Sequence, residues 1–157
     1  MLQRKQSLFL LIAVVCGVLT FAFPVDTFTR NGQSYIFRTY GLFTAEGVEV
    51  VDATLKVPFA LVMGLLTVLL GVVIFLYGNR PRQLRLVQTL AALLMAVQVF
   101  LYITDNSIRA YLQAGGKVER SFGLSFILPL VMVILAVLAA RHIRKDEQLV
   151  RSMDRLR

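Results

Sequence analysis

The run VPFALVMGLLTVLLGVVIFLYGN, Val57–Asn79, contains no charged residue. It is longer than the roughly 20 apolar residues that a helix needs to cross about 30 Å of hydrocarbon. Three further uncharged runs of similar length occur at Gln6–Val25, Leu86–Thr104 and Ser121–Ala140. The four runs predict an all-α membrane domain, a bundle of four transmembrane helices with spans at about 7–25, 57–77, 85–104 and 121–142.

The composition agrees with a membrane protein. Apolar residues make up 57% of the 157 residues, and mean hydropathy is +0.72, whereas soluble domains are about 45–50% apolar. The net charge is +8, but most basic residues flank the predicted spans, where they orient the chain in the membrane. No soluble domain is left to carry a nucleic-acid groove. We therefore expect the lipid bilayer, and not nucleic acid, as the surrounding partner.

The basic residues predict the orientation of the spans. Eleven of them lie in three places: at the start of the chain, in the turn around Gly78 and Pro81, and between Arg141 and the end of the tail, residues 143–157. The other two connections, 26–56 and 105–120, hold six basic residues mixed with six acids. Because Lys and Arg in short connections stay on the cytoplasmic side, both termini are expected on the cytoplasmic side of the membrane.

The first extracytoplasmic connection, 26–56, has the signature of a β-rich cap. Asn31-Gly32 supplies the positive φ angles of a tight hairpin turn between strands at about 27–30 and 33–38. A weaker hairpin over 40–51 is also indicated, although Glu49, Asp52 and Lys56 equally fit one face of a helix. The turn at 114–117 allows a strand of the second connection to join the same sheet. A small sheet on four helices is similar to the claudin-type architecture, as a fold-level analogy.

The third predicted span carries a polar stripe. Its candidate residues recur at helical spacing and share one face: Gln88, Gln98, Tyr102 and Asp105. An unpaired amide in hydrocarbon costs about 2–7 kcal/mol, so Gln98 is expected to face another helix. The stripe then either bonds helices together or lines a pathway or ligand pocket. We favour packing, because no Asp, Glu, Lys or His accompanies the amides within the run Leu86–Thr104.

Small residues predict where helices approach each other closely. Gly64, Thr67 and Gly71 share one face of the second span. A similar face runs along the fourth span at Ser125, Pro129, Met132, Ala136 and Ala139. Close backbone contact along both faces is the expected result.

Catalytic and metal-binding constellations are not indicated by the sequence. Cys16 is the only cysteine and His142 the only histidine, so dithiol chemistry, bis-histidine haem ligation and multi-histidine metal sites lack their residues. The serines near the spans have no histidine base. We expect no enzyme activity and no cofactor.

The tail, residues 143–157, predicts a helix that continues the fourth span, because no Gly or Pro interrupts it. It has a candidate docking surface that combines apolar and charged residues: Leu149, Arg151, Met153, Arg155 and Leu156. The alternative is a solvated helix on the lipid headgroups, which basic residues near an anionic surface favour.

The two ends of the chain carry a family resemblance. The start, Met1–Leu11, and the ending, Ile143–Arg157, resemble an uncharacterised four-span family of Bacteroidota inner membranes. In that family the start M-x-Q-R-x-Q and the ending K-D-E-x-L-V-R-S-x-D-R-L-R recur. Lys5 departs from the pattern, since a branched apolar residue is usual there. The resemblance implies an inner-membrane location and a shared topology, and it implies no activity.

These patterns favour a non-catalytic accessory, scaffold or assembly subunit of a cell-envelope complex, which binds another envelope membrane protein. One alternative is a small transporter or channel subunit. The four uncharged runs offer no buried charged residue for an ion pathway, and the four spans show no internal repeat, so both observations disfavour it. A second alternative is a membrane enzyme that binds a lipid or quinone at Gln98 and Tyr102.

Overall fold

Helices form most of the computed structural model, which describes residues 5–50 and 58–154, with side-chain surroundings for 6–50 and 58–148. The elements in chain order are α1 (Lys5–Ala22), β1 (Asp26–Arg30), β2 (Gln33–Arg38), β3 (Gly41–Thr44), α2 (Phe59–Phe75), α3 (Arg80–Gln113), β4 (Val118–Phe122) and α4 (Leu124–Asp154). A single 3-10 turn, Leu76–Gly78, joins α2 to α3.

Among the described residues, three helical segments are long and apolar enough to cross a membrane: Phe59–Gly78, Arg80–Gln113 and Leu124–Gln148. This is consistent with a membrane protein. The apolar part of α1, Gln6–Ala22, is shorter. The predicted first span, 7–25, extends past this helix, because Pro24 disfavours helical backbone before it and β1 already begins at Asp26.

The third and fourth helices also differ from the predicted spans at the sheet end. Helix α3 continues through Gln113 and occupies much of the predicted connection 105–120. Its last turns are held because Ile108 and Leu112 are buried in the main hydrophobic core. The predicted fourth span began at residue 121, whereas α4 begins at Leu124, since the residues before it form β4. The sheet therefore decides where both helices meet the cap.

The four helices pack as a closed ring in the order α1, α4, α3, α2. Gly17 of α1 marks the closest approach: a Cβ atom there would lie 2.3 Å from Thr67 Oγ1 and 3.0 Å from Met132 Cε. The small-residue face of α2 therefore packs on α1. On α4, Met132, Ala136 and Ala139 are fully buried. Close contact is confirmed at Thr67 and Met132, whereas a Cβ atom on Gly64 or Gly71 would lie 3.8 or 3.9 Å from the nearest side-chain atom of α1, which is an ordinary van der Waals distance.

Within the described residues, the cap is an antiparallel four-stranded sheet in the order β3-β2-β1-β4. The predicted hairpin is confirmed, because Asn31 and Gly32 have φ angles of 50° and 81° between β1 and β2. The predicted addition of a strand from the second connection is also confirmed, since β4 pairs with β1.

The weaker predicted hairpin over 40–51 is present in part. Strand β3 forms, and the chain returns after a turn at Gly47 to make a single bridge between Phe43 and Glu49. Residues 51–57, with Asp52 and Lys56 of the alternative helix, lie outside the described residues.

The sheet is joined to the helices by a tight crossing of two chain segments. A Cβ atom on Gly123 would lie 2.1 Å from the carbonyl oxygen of Pro24, so only glycine fits there. The Oγ atom of buried Ser125 lies within hydrogen-bond distance of two carbonyls at the end of α1, those of Thr20 (2.9 Å) and Phe23 (2.8 Å). It therefore provides a donor where the helix itself has none.

Candidate functional site

Three charged side chains meet where the sheet rests on the helices. Asp26 at the start of β1 and Asp105 on α3 are both 0% exposed, and Arg120 of β4 lies between them with 13% of its side chain exposed. The Nε atom of Arg120 donates to Asp26 Oδ2 at 2.5 Å, and an η nitrogen of the same guanidinium donates to Asp105 Oδ2. These three residues are called the buried charge cluster below.

The strand register explains why the cluster forms. Phe28 of β1 is paired with Arg120 of β4, and Asp26 is paired with Phe122. Residues that are paired or diagonal across an antiparallel ladder point to the same face, so Asp26 and Arg120 both point toward the helices. The guanidinium also lies 3.8 Å from the centre of the Phe122 ring, which shields it from the surroundings and adds a cation–π contact.

The charge balance of the cluster is unequal, since two carboxylates share one guanidinium. Asp105 lies just past the uncharged run, at the level of the sheet. Its pKa is raised to about 7, first by desolvation and then by the nearby Asp26 carboxylate, against the opposing effect of Arg120. Asp105 Oδ1 has no hydrogen-bond partner among the described residues, and neither does the buried Nε of Arg109, one turn further along α3. A proton on Asp105 would bring the cluster to neutrality.

Sequence reasoning placed Asp105 in the polar stripe but missed Asp26 and Arg120 as its partners. One feature of the sequence could have drawn attention to Asp26: it is an acidic residue that directly follows Pro24-Val25, next to a predicted strand. The ion pairs of Arg120 with Asp26 and Asp105 depend on β4 lying next to β1, and no local sequence pattern predicts that arrangement.

The structure does not bring the four residues of the predicted stripe into one site. Gln98 is partly buried, and its Nε2 atom donates to the carbonyl of Phe126 on α4 at 3.2 Å, so it faces another helix as expected. Asp105 belongs to the buried charge cluster. Tyr102 is 51% exposed on the outer surface of α3, and Gln88 is exposed near the opposite end of the helix.

The predicted tail helix is continuous with α4, which runs without interruption to Asp154. Of the candidate docking residues, Leu149, Arg151 and Met153 belong to this helix, but their side chains are outside the described part. Arg155 and Leu156 are outside the described residues altogether. The docking surface therefore stays a prediction.

The start of the tail is fixed to the bundle by contacts on two sides. Arg80 of α3 donates from a η nitrogen to the carbonyl of Asp146 at 3.2 Å. The ring of His142 stacks on Phe9 of α1, with ring centres 5.4 Å apart and planes 23° apart. The direction in which α4 leaves the bundle is thus set by α1 and α3.

A basic surface surrounds the same end of the bundle. Arg82 and Arg85 of α3 and Arg141, Arg144 and Lys145 of α4 are all exposed. Within residues 6–50 and 58–148, no group of three or more His, Cys, Asp or Glu side chains is placed to hold a metal ion.

The chain belongs to a family of unknown function. The model of that family, "Domain of unknown function (DUF4293)", matches residues 2–156. No curated protein matches the chain. The two ends of the sequence had suggested an uncharacterised family, and the match to this family model agrees with that.

Proposed function

We propose that this chain is a non-catalytic integral protein of the bacterial inner membrane, an accessory, scaffold or assembly subunit that binds another envelope membrane protein. In this proposal all four helices span the membrane and both termini are cytoplasmic. We also propose that the ending of the chain identifies it as a member of a Bacteroidota family.

The observation that carries the proposal is the length of α4. Its 31 residues make a helix of about 46 Å, whereas a bilayer has a hydrocarbon core of about 30 Å. About ten residues therefore extend beyond the core at the basic end. Arg80 and Phe9 hold the base of this extension, so it leaves the bundle in a defined direction, as a docking helix requires.

The buried charge cluster supports a structural cap in place of a catalytic centre. Each of its members bonds to another member, and Arg120 is covered by an aromatic ring. A transporter would use such carboxylates differently, by opening them to a pathway across the membrane. A quinone or lipid enzyme at the stripe would need Gln98 and Tyr102 together, but Gln98 bonds to α4 and Tyr102 faces outward.

The proposal is tested by purifying the tagged full chain from native membranes in mild detergent and identifying co-purifying proteins by mass spectrometry. A double variant, Leu149→Ser with Met153→Ser, is expected to lose the partner at least tenfold, because apolar anchors carry most of the binding energy in a helix-docking interface. Gln148→Ser is the control on the same helix, since position 148 is exposed and lies about 100° from position 149 and about 140° from position 153 around the helix axis.

Both variants should insert normally, because every apolar span is unchanged. If the double variant and a chain ending at Glu147 keep the same partners in the same amounts, the docking role of the tail is wrong. If no protein co-purifies with the full chain, the accessory function itself is wrong.

A further inference from the structure

A groove lies between α3 and α4 at the basic end of the bundle. It encloses about 280 Å³ and is bounded by Gln88, Ala91, Val137, Ala140, Arg141 and Arg144. The first two belong to α3 and the other four to α4. It lies far from the buried charge cluster, near the start of the uncharged run of α3 and the end of the uncharged run of α4.

The polarity of the groove changes along its length. Its apolar wall is made by Ala91, Val137 and Ala140, which lie inside the uncharged runs. Arg141 and Arg144 follow directly after the run of α4, at the charged end of the groove. A site with an apolar wall on the membrane side and cations at the rim matches an amphipathic ligand, with an anionic head and a hydrocarbon tail.

The two arginines are available to a ligand. Both are exposed, and no hydrogen bond or ion pair engages either guanidinium within residues 6–50 and 58–148. Residues three apart on a helix are surface neighbours, so the two guanidinium groups reach the same region. Their planar forks match the oxygen pairs of a phosphate group.

A second depression strengthens the cationic character of this region. It measures about 420 Å³, shares Arg141 and Arg144 with the groove, and adds His142 and Lys145 to the lining. On α3, exposed Arg85 lies one turn before Gln88. Several basic side chains thus surround the rim of the groove.

We propose that this groove binds an anionic phospholipid. Arg141 and Arg144 hold the phosphate, the amide of Gln88 donates to a headgroup oxygen, and Val137 and Ala91 contact the first part of an acyl chain. The proposal rests on the membrane location proposed above, but not on the accessory role. Free inorganic phosphate would use the arginines alone, so the apolar wall is what favours a lipid.

The test is native mass spectrometry of the full chain in a neutral detergent, titrated with phosphatidylglycerol or phosphatidylcholine. The chain should bind phosphatidylglycerol at least tenfold more tightly than phosphatidylcholine. Arg141→Gln and Arg144→Gln should each weaken phosphatidylglycerol binding about fivefold, which is the usual effect of one basic residue at an anionic surface. Arg144→Lys should fall between, because it keeps the charge but loses the fork.

Arg82→Gln is the matched control, an exposed arginine at the same end that does not line the groove. It should leave phosphatidylglycerol affinity within twofold of the unmodified chain. Val137→Phe fills the apolar wall with every charge intact and should weaken binding at least threefold. Circular dichroism establishes that each variant is folded, and Val137→Phe keeps the test decisive if an arginine variant is not.

Three results would each overturn the lipid site. Equal affinity for the two lipids would show that the headgroup charge is not recognised. An equal loss in Arg82→Gln would show a diffuse basic surface. Full competition by 50 mM inorganic phosphate, at matched ionic strength in chloride, would show a site for free phosphate. Because the purified chain is measured without a partner, failure of this site leaves the partner-capture result unaffected.

Discussion

The two ends of this bundle use charged residues in opposite ways. At the sheet end, Asp26, Asp105 and Arg120 are buried and bonded to one another. At the other end, Arg141 and Arg144 are exposed and project from the helices. Charges of both signs can be buried together, because each offsets the desolvation of the other, whereas a surplus of one sign stays at the surface. The sheet end therefore pairs its charges inside the fold, and the basic end keeps its arginines at the surface.

The largest expected effect comes from breaking the buried end. Arg120→Gln leaves two buried carboxylates without their cation, which costs about 3–5 kcal/mol in comparable buried pairs. We expect a sharp fall in the thermal unfolding temperature of the purified chain in detergent, together with reduced yield.

The control for this prediction is Arg144→Gln at the basic end, which should change the free energy of unfolding by no more than about 0.5 kcal/mol. If the two variants unfold at the same temperature, the contrast between the two ends is not energetic, and the buried charge cluster does not hold the cap.

A smaller effect is expected from pH. The folded pKa of Asp105 is raised to about 7, so the folded state holds this proton more tightly than the unfolded chain does. The stability from this proton is present at low pH and is lost as the pH rises through about 7. The unfolding temperature should therefore be lower at pH 8 than at pH 6.

Asp105→Asn should remove this pH dependence, because the neutral amide leaves Asp26 as the only carboxylate facing Arg120. The measurement is thermal unfolding of both chains at pH 6 and pH 8. An equal shift in the variant would assign the pH effect to other groups.

The smallest effect is expected between the two ends, at Gln98. Gln98→Leu removes one hydrogen bond to the Phe126 carbonyl and also the cost of burying an amide whose oxygen has no partner among the described residues. The two terms nearly offset each other, so the free energy of unfolding should change by less than about 1 kcal/mol. A loss of several kcal/mol would mean that Gln98 belongs to a larger polar network than this one bond.

Much of the architecture was predictable because its signals are local. Each long apolar helix follows from an uncharged run, and the first hairpin follows from Asn31-Gly32, whose positive φ angles few other residue pairs adopt. The small-residue faces of α2 and α4 were also visible, since helical spacing alone places those residues together.

The candidate site was less predictable because its residues come from distant parts of the chain. Asp26 and Arg120 are 94 positions apart, and the local sequence around either residue does not predict the other as its partner. The predicted stripe treated Asp105 as a continuation of Gln98 on one helix face. The structure separates them, because one residue meets the sheet and the other meets α4.

The sequence alone determined that this chain has long apolar helices, a hairpin cap and a basic end, since hydropathy, turn chemistry and charge act over a few residues at a time. The tertiary structure decided that β4 lies beside β1, that α3 extends to Gln113, and that one arginine serves two carboxylates. These features depend on which surfaces meet when the sheet closes on the helices. Burial and ion pairing stabilise these contacts only after segments that are distant in sequence have come together. A local sequence pattern therefore does not predict them.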